Sequence, residues 1–145
     1  MQVLSLGEIL AARRRMAGIA AVDTPLVPSP FLSASAGTEV LLKLELVQPT
    51  GAFKLRGAAN AIQQLPEETP GVTCCSTGNH GRAVAYAAAR RGMRAVVCMS
   101  QLVPEAKIEG IRALGAEIRI VGKSQDDAQA ESSRLANEEG LSEIA

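Results

Sequence analysis

Val72-Thr73-Cys74-Cys75-Ser76-Thr77-Gly78-Asn79-His80-Gly81-Arg82-Ala83 joins an apolar run to an alanine-rich stretch through a short turn. Residues 72–76 read as a buried strand, and 79–91 read as a helix closed by Gly92. The same phrase returns downstream. Residues 94–99 form a second strand candidate. Residues 104–114 form a second helix, with Pro104 suited to its first turn, Gly115 to its C-terminal cap, and Ile108, Ile111 and Leu114 on one face. Residues 117–121 read as a third strand. Residues 124–139 read as a third helix, opened by the capping-box pattern Ser124-x-x-Asp127 and closed by Gly140. Helix, glycine, strand recurring at Gly92, Gly115 and Gly140 predicts stacked βαβ units. The fold class is therefore α/β, with an open parallel sheet and right-handed crossovers.

The first half is less regular. Residues 4–18 read as an amphipathic helix. Thr24-Pro25-Leu26-Val27-Pro28-Ser29-Pro30 is too proline-rich for a helix or a central strand and must be extended. Residues 40–46 alternate in part and read as a strand, and 53–65 read as a helix. Residues 66–71, with Pro66, Glu67, Glu68 and Pro70, are the best linker candidate. Residues 141–145 begin a fourth strand. The sequence stops there without a capping element, which points to a truncated protein or one half of a larger unit.

Composition narrows the function classes. The chain has 145 residues, a one-domain length, and at 47% hydrophobic content it can bury a core. Aromatic residues make up only 2%, so that core must be aliphatic. Fifteen basic residues balance fifteen acidic ones, which gives no sign of a nucleic-acid partner. No apolar run reaches the roughly 18 residues of a membrane span, and no signal peptide is evident. Arg13, Arg14 and Arg15 read as a solvated helix face. The three cysteines are an odd number. Cys74 and Cys75 are adjacent in a strand and point to opposite faces, so they are poorly placed to pair. All three cysteines read as small core residues in a reducing, cytoplasmic setting.

Two stretches carry chemistry. Gly51-Ala52-Phe53-Lys54-Leu55-Arg56-Gly57-Ala58 places a lysine at a helix start with small residues on both sides. Lys54 near the positive end of a helix dipole is either a nucleophilic amine, able to form a Schiff base, or a surface lysine in a first helical turn. The turn at Ser76, Thr77, Gly78 and Asn79 leads into a helix whose unpaired N–H groups and dipole suit an anion. Its plainer reading is a strand-to-helix turn capped by Asn79. A dinucleotide site is disfavoured, because the glycine spacing is wrong and no acidic residue ends the second strand. There is no Walker A pattern, no metal-ligand spacing and no serine elbow.

These stretches carry a resemblance. Thr24-Pro25-Leu26, Lys43-Leu44-Glu45, Gly51 to Ala58, and Ser76-Thr77-Gly78-Asn79-His80-Gly81 occur in that order. Val103-Pro104-Glu105-Ala106-Lys107 and Leu114-Gly115-Ala116-Glu117 follow. The chain resembles the N-terminal part of the pyridoxal-phosphate enzymes of the tryptophan-synthase-β fold (fold type II), and among them the threonine/serine dehydratases. Gln48-Pro49-Thr50-Gly51-Ala52-Phe53 and residues 119–126 look most like the dehydratases of hydroxyectoine utilisation.

The resemblance implies roles. Lys54 would bind pyridoxal phosphate as a Schiff base and later remove the substrate Cα proton. Phe53 would pack against the cofactor, and Asn79 would hydrogen-bond its ring hydroxyl. Ser76, Thr77, Asn79 and His80 would line the cradle for the carboxylate of an amino-acid substrate. The reaction would be β-elimination of water from a hydroxy amino acid, giving a 2-keto acid and ammonia, in a protein that is homodimeric when complete. Residues 1–67 would belong to a large domain, leaving apolar surface exposed, and 68–145 to a small one. The family's glycine-rich phosphate loop, and the group that meets the pyridine nitrogen, would lie beyond this sequence. Ala52 stands where many relatives carry serine. The competing readings are a non-catalytic α/β module that keeps only the cradle, and a serine/threonine racemase-like enzyme, for which Thr77 is a poorer acid/base than serine.

Overall fold

The computed structural model describes residues 4–145. In chain order the elements are α1 (Leu6–Met16), β1 (Leu26–Pro28), α2 (Pro30–Ala36), β2 (Leu41–Lys43), α3 (Lys54–Ile62), β3 (Val72–Cys75), α4 (Asn79–Arg90), β4 (Ala95–Met99), α5 (Glu105–Arg112), β5 (Glu117–Ile120), α6 (Gln125–Glu139) and β6 (Ser142–Glu143), with a 3-10 turn at Glu45–Val47. The last four strands form a parallel sheet in the order β5-β4-β3-β6. This is the α/β architecture that the glycine rhythm implies. Val72 pairs with Ala95 on one side and Ser142 on the other, and Val96 pairs with Glu117.

A parallel sheet covered on both faces needs strands that are apolar throughout, and β4 is buried at every position. Its side chains alternate with the strand period of two. Ala95, Val97 and Met99 enter a core shared with residues of α1, α3, α4 and α5. Val96 and Cys98 face the other way, against Ala128 and Leu135 of α6 and against Leu141. Cys74 and Cys75 divide in the same manner, Cys74 in the larger core and Cys75 half-buried against the smaller. All three thiols are free. Burial pushes Cys74 up to about 12 and Cys98 up to about 11, so both stay protonated near neutral pH.

Helix α4 lies close to the sheet because its inward residues are small. Gly81, Ala83, Val84, Ala85, Ala87 and Ala88 are buried. A Cβ on Gly81 would stand 3.0 Å from Val97 Cγ1 and 3.2 Å from Ile111 Cδ1. Leu55, Ala58, Ala59 and Ile62 of α3 are buried and enter the same core. Just past α4, the guanidinium of Arg91 donates to the carbonyls of Leu65 at 2.6 Å and Pro66 at 3.1 Å, tying the end of the 53–65 segment to α4.

Three details differ from what the sequence implies, two in the first half and one in the second. The strand expected over 40–46 ends at Lys43, and a 3-10 turn follows. The proline-rich segment is extended only as far as Ser29. From Pro30 it forms α2, with the Ser29 hydroxyl accepting the Leu32 amide and proline in the first turn. Pro104 stands at the cap of α5 and not within its first turn. The capping box at Ser124 and Asp127 forms as expected, and a second, at Ser5 and Glu8, opens α1.

Large apolar residues are unevenly exposed. Leu4, Leu6, Ile9, Leu26, Phe31, Leu46 and Phe53 are each more than half exposed. Among the described residues after 67, only Leu102 and Ile120 are exposed in this size class.

Gly81→Ala should destabilise the chain by about 1–3 kcal/mol through overpacking against Val97 and Ile111. The urea unfolding midpoint is the measurement, and an unchanged midpoint would contradict the close approach of α4 to the sheet.

Candidate functional site

Lys54 is the first residue of α3. Gly51, at φ +74°, makes the turn that delivers it, and the Gly51 amide donates to the Gln48 carbonyl at 2.7 Å. A side chain would be strained at that φ. Phe53 occupies the cap position without a side-chain capping bond, and no acidic residue falls in the first turn. Lys54 is exposed, with Nζ 5.5 Å from the centroid of the Phe53 ring, within cation–π range. Phe53 is 60% exposed, so an aromatic face and a primary amine stand side by side in solvent.

Strand β3 ends at Cys75, and the chain turns into α4 within three residues. The cap of α4 is Gly78, which offers no side chain; Asn79 is the first helical residue, where the 79–91 helix reading starts it, and the plainer reading of Asn79 as the cap does not form. Capping comes from further back. Ser76 is buried, and its hydroxyl oxygen accepts the amides of Gly78 at 3.3 Å and Gly81 at 2.9 Å. The amides of Asn79 and His80, first and second in the helix, have no intrahelical acceptor. His80 Nε2 lies 3.0 Å from the carbonyl oxygen of Ile144, just past β6.

These parts meet at the point where the sheet changes direction. From β3 the chain steps to β4 and β5, then returns to pair β6 with the opposite edge of β3. Open α/β sheets bind ligands at such reversals, beyond the carboxyl ends of the strands. A recess of about 300 Å3 there is lined by Phe53, Lys54, Arg56, Gly57, Ala58, His80 and Ala145. The structure thus brings Lys54, Phe53 and His80 together. Asn79 lines a different recess of about 340 Å3, which includes Arg82 and Lys107, and Ser76 and Thr77 line neither. Among the described residues no group of three or more His, Cys, Asp or Glu is placed to hold a metal ion. No helix among them is long and apolar enough to cross a membrane.

The model of the family described as pyridoxal-phosphate dependent enzyme matches residues 19–144. The chain belongs to this family. A protein of Sinorhizobium fredii, provisionally assigned as a threonine dehydratase, is 57% identical over 143 residues, which cover 97% of this chain and 43% of the relative. The structure of the processed form of threonine deaminase isoform 2 from Solanum lycopersicum has a TM-score of 0.84 at 32% identity, covering 98% of this chain and 43% of that one. The maize serine racemase structure has a TM-score of 0.91 at 33% identity, covering 99% and 44%. The chain therefore spans less than half the length of these relatives.

Beside Lys54 lies a polar network with no counterpart in the sequence reading. In this pyridoxal-phosphate family member, Arg56 grips Glu45 with two parallel bonds of 2.8 Å. Thr24 Oγ1 donates to Glu45 Oε1 at 2.7 Å, and Gln48 Nε2 donates to Oε2 at 3.0 Å. Thr24, Lys43, Glu45 and Arg56 each fall in a motif stretch, but local pattern gives no reason for them to meet. The Arg56 guanidinium, with help from Thr24 and Gln48, holds the Glu45 carboxyl down at about 2, against an ordinary value of 4.5.

A depressed folded-state pKa adds stability that is complete above the ordinary value and is lost as pH falls through the folded one. Glu45→Gln should therefore cost about 1–3 kcal/mol at neutral pH. The stability gap between the native chain and the variant should close as pH drops from about 4.5 toward about 2. Urea titrations across that range measure it; a gap independent of pH would contradict the charged pair.

Proposed function

We propose that this chain is the amine-bearing part of a pyridoxal-phosphate dependent lyase that eliminates water from a hydroxy amino acid, the resulting enamine then being hydrolysed by water to a 2-keto acid and ammonia. The observation that carries the reading is Lys54, exposed at the head of α3 in one recess with Phe53 and His80, at the reversal point of the sheet. A primary amine suits the cofactor's aldehyde, and a helix N-terminus whose first two amides have no intrahelical acceptor suits a carboxylate. The residues present therefore fit the cofactor's reactive end and the anionic end of its substrate.

Lys54 Nζ would hold the aldehyde carbon and, once the substrate amine has displaced it and left it a free amine, act as the base for the substrate Cα proton. When bound, pyridoxal phosphate supplies an electron sink for the bonding pair that the departing proton leaves behind. Phe53 would support the cofactor's flat face. Asn79 would donate to its ring hydroxyl. The amides of Asn79 and His80, with the Thr77 hydroxyl, would receive the substrate carboxylate. Ser76 would serve this cradle by shaping it, since its oxygen already accepts two turn amides.

Threonine and serine are the simplest substrates of this class, and the names of similar proteins support threonine. The hydroxyectoine-derived substrate rests on the resemblance of residues 48–53 and 119–126 alone. Serine racemase-like activity is the second reading, favoured by the likeness to the maize structure. Keto-acid release against loss of optical purity separates the two. On the same reading residues 1–67 belong to a larger domain and 68–145 to a smaller one, in a cytoplasmic homodimer. The apolar exposure concentrated between Leu4 and Phe53 supports that division. The isolated chain should then self-associate, and a sedimentation profile of a single well-folded monomer would count against the division.

Incubation with pyridoxal phosphate, followed by borohydride reduction and peptide mass spectrometry, tests the central assignment. The expected result is a stable adduct on Lys54 that is absent from Lys54→Ala. If no Lys54 adduct forms, the non-catalytic module is the reading that stands.

A further inference from the structure

Motif residues without a chemical role converge on the first turn of α3. Both oxygens of Glu45 are saturated: Oε1 accepts from Arg56 Nη2 and Thr24 Oγ1, and Oε2 from Arg56 Nε and Gln48 Nε2. Gln48 also closes onto Ala21 in both directions, its Oε1 accepting the amide at 2.9 Å and its Nε2 donating to the carbonyl at 2.8 Å. Lys43 Nζ donates to the Thr24 carbonyl at 2.6 Å. One carboxylate thus ties the 21–24 segment and the 3-10 turn to α3. The two side chains of the ion pair are only 25% and 20% exposed, so the geometry is held largely out of solvent.

We propose that the Glu45–Arg56 pair is a positioning clamp that fixes the rotation of the first turn of α3 and so sets where Lys54 Nζ stands. The proposal rests on the reading of Lys54 as the carbonyl-binding amine. Residues 54 and 56 are two apart on a helix of 3.6 residues per turn, about 200° around its axis. Their side chains therefore leave the turn in different directions although both line the recess, and a held Arg56 guanidinium fixes the direction in which Lys54 leaves. Leu55, Ala58, Ala59 and Ile62 bury the apolar stripe of α3 and set which face of the helix meets the core, and the ion pair adds a directional hold at its first turn. Phe53 adds no side-chain capping bond, so beyond the Gly51 turn and the backbone bonds of the helix start, the ion pair is the side-chain contact that orients this turn. A bidentate guanidinium–carboxylate pair has the directional stiffness for this, which a lysine in the same place lacks.

The test uses this chain and compares Arg56→Gln, Glu45→Gln and Ile62→Val, the last a destabilised control outside the clamp. Lys107 and Lys123, which lie outside the network, serve as internal references. The first readout is borohydride-trapped pyridoxal-phosphate adduct at each lysine. The second needs no cofactor: competitive acylation by a small amine reagent, read as the rate at Lys54 relative to Lys107 and Lys123. Both clamp variants should lose Lys54 trapping at least about tenfold, as small misplacements of reacting groups do. Their Lys54 acylation ratio should change, while Ile62→Val matches the native chain in both. Folded clamp variants with unchanged trapping and unchanged acylation ratio would overturn the proposal. So would an Ile62→Val variant that fails in the same way, since the effect would then be general destabilisation. If the native chain forms no Lys54 adduct, the lyase reading fails and the acylation ratio alone decides the clamp. Should Glu45→Gln not fold, Arg56→Gln, which removes the fork and adds no amine, decides it.

Discussion

The contact between α3 and α4 is the constraint on which the site depends. Both helices present small residues to the core, Ala58 and Ala59 on one and Gly81, Ala83, Ala85, Ala87 and Ala88 on the other. Larger side chains here would drive the helices apart, because close-packed interiors have no slack to absorb them. Lys54 heads one helix and the residue 76–80 turn heads the other. Their separation in sequence is bridged by packing, and the shared recess of Lys54 and His80 is a by-product of alanine and glycine pressed together.

The second half of this arrangement was legible in the sequence because its signals are local. Apolar runs, the glycines after helices and the Ser124 capping box each act within a few residues, and the strands and helices lie within a residue or two of where those signals place them. Errors arose where a signal was overridden or crowded. Asn79 is a good cap by residue type, yet Ser76 reaches the Gly81 amide first and Asn79 slides into the helix. At Ser29 and Pro30 a genuine helix-start pattern was hidden by neighbouring prolines. The strand over 40–46 was read too long because Glu45 is drawn out of the extended conformation to meet Arg56 and Thr24.

That last case marks the limit of local reading. Thr24, Glu45 and Arg56 lie 11 to 32 residues apart, and their bonds depend on where three segments finish in space. Periodicity carries no information about such a meeting. The motifs carried these residues, and a motif without geometry does not say whether a residue does chemistry or holds another in place.

Exposure gives the site its remaining physical character. Catalysis on an amino acid needs water excluded, so that the electrostatic contacts act at full strength and side reactions are suppressed. The recess at Lys54 is open, and Phe53, Leu46 and Val47 stand exposed close to it in sequence. Apolar surface of this kind is costly in water and stabilising once covered. On the proposed reading, the same covering that buries these residues would close the amine away from bulk solvent. Completion of the fold and completion of the site would then be one event, with the Glu45–Arg56 pair holding Lys54 in place beforehand.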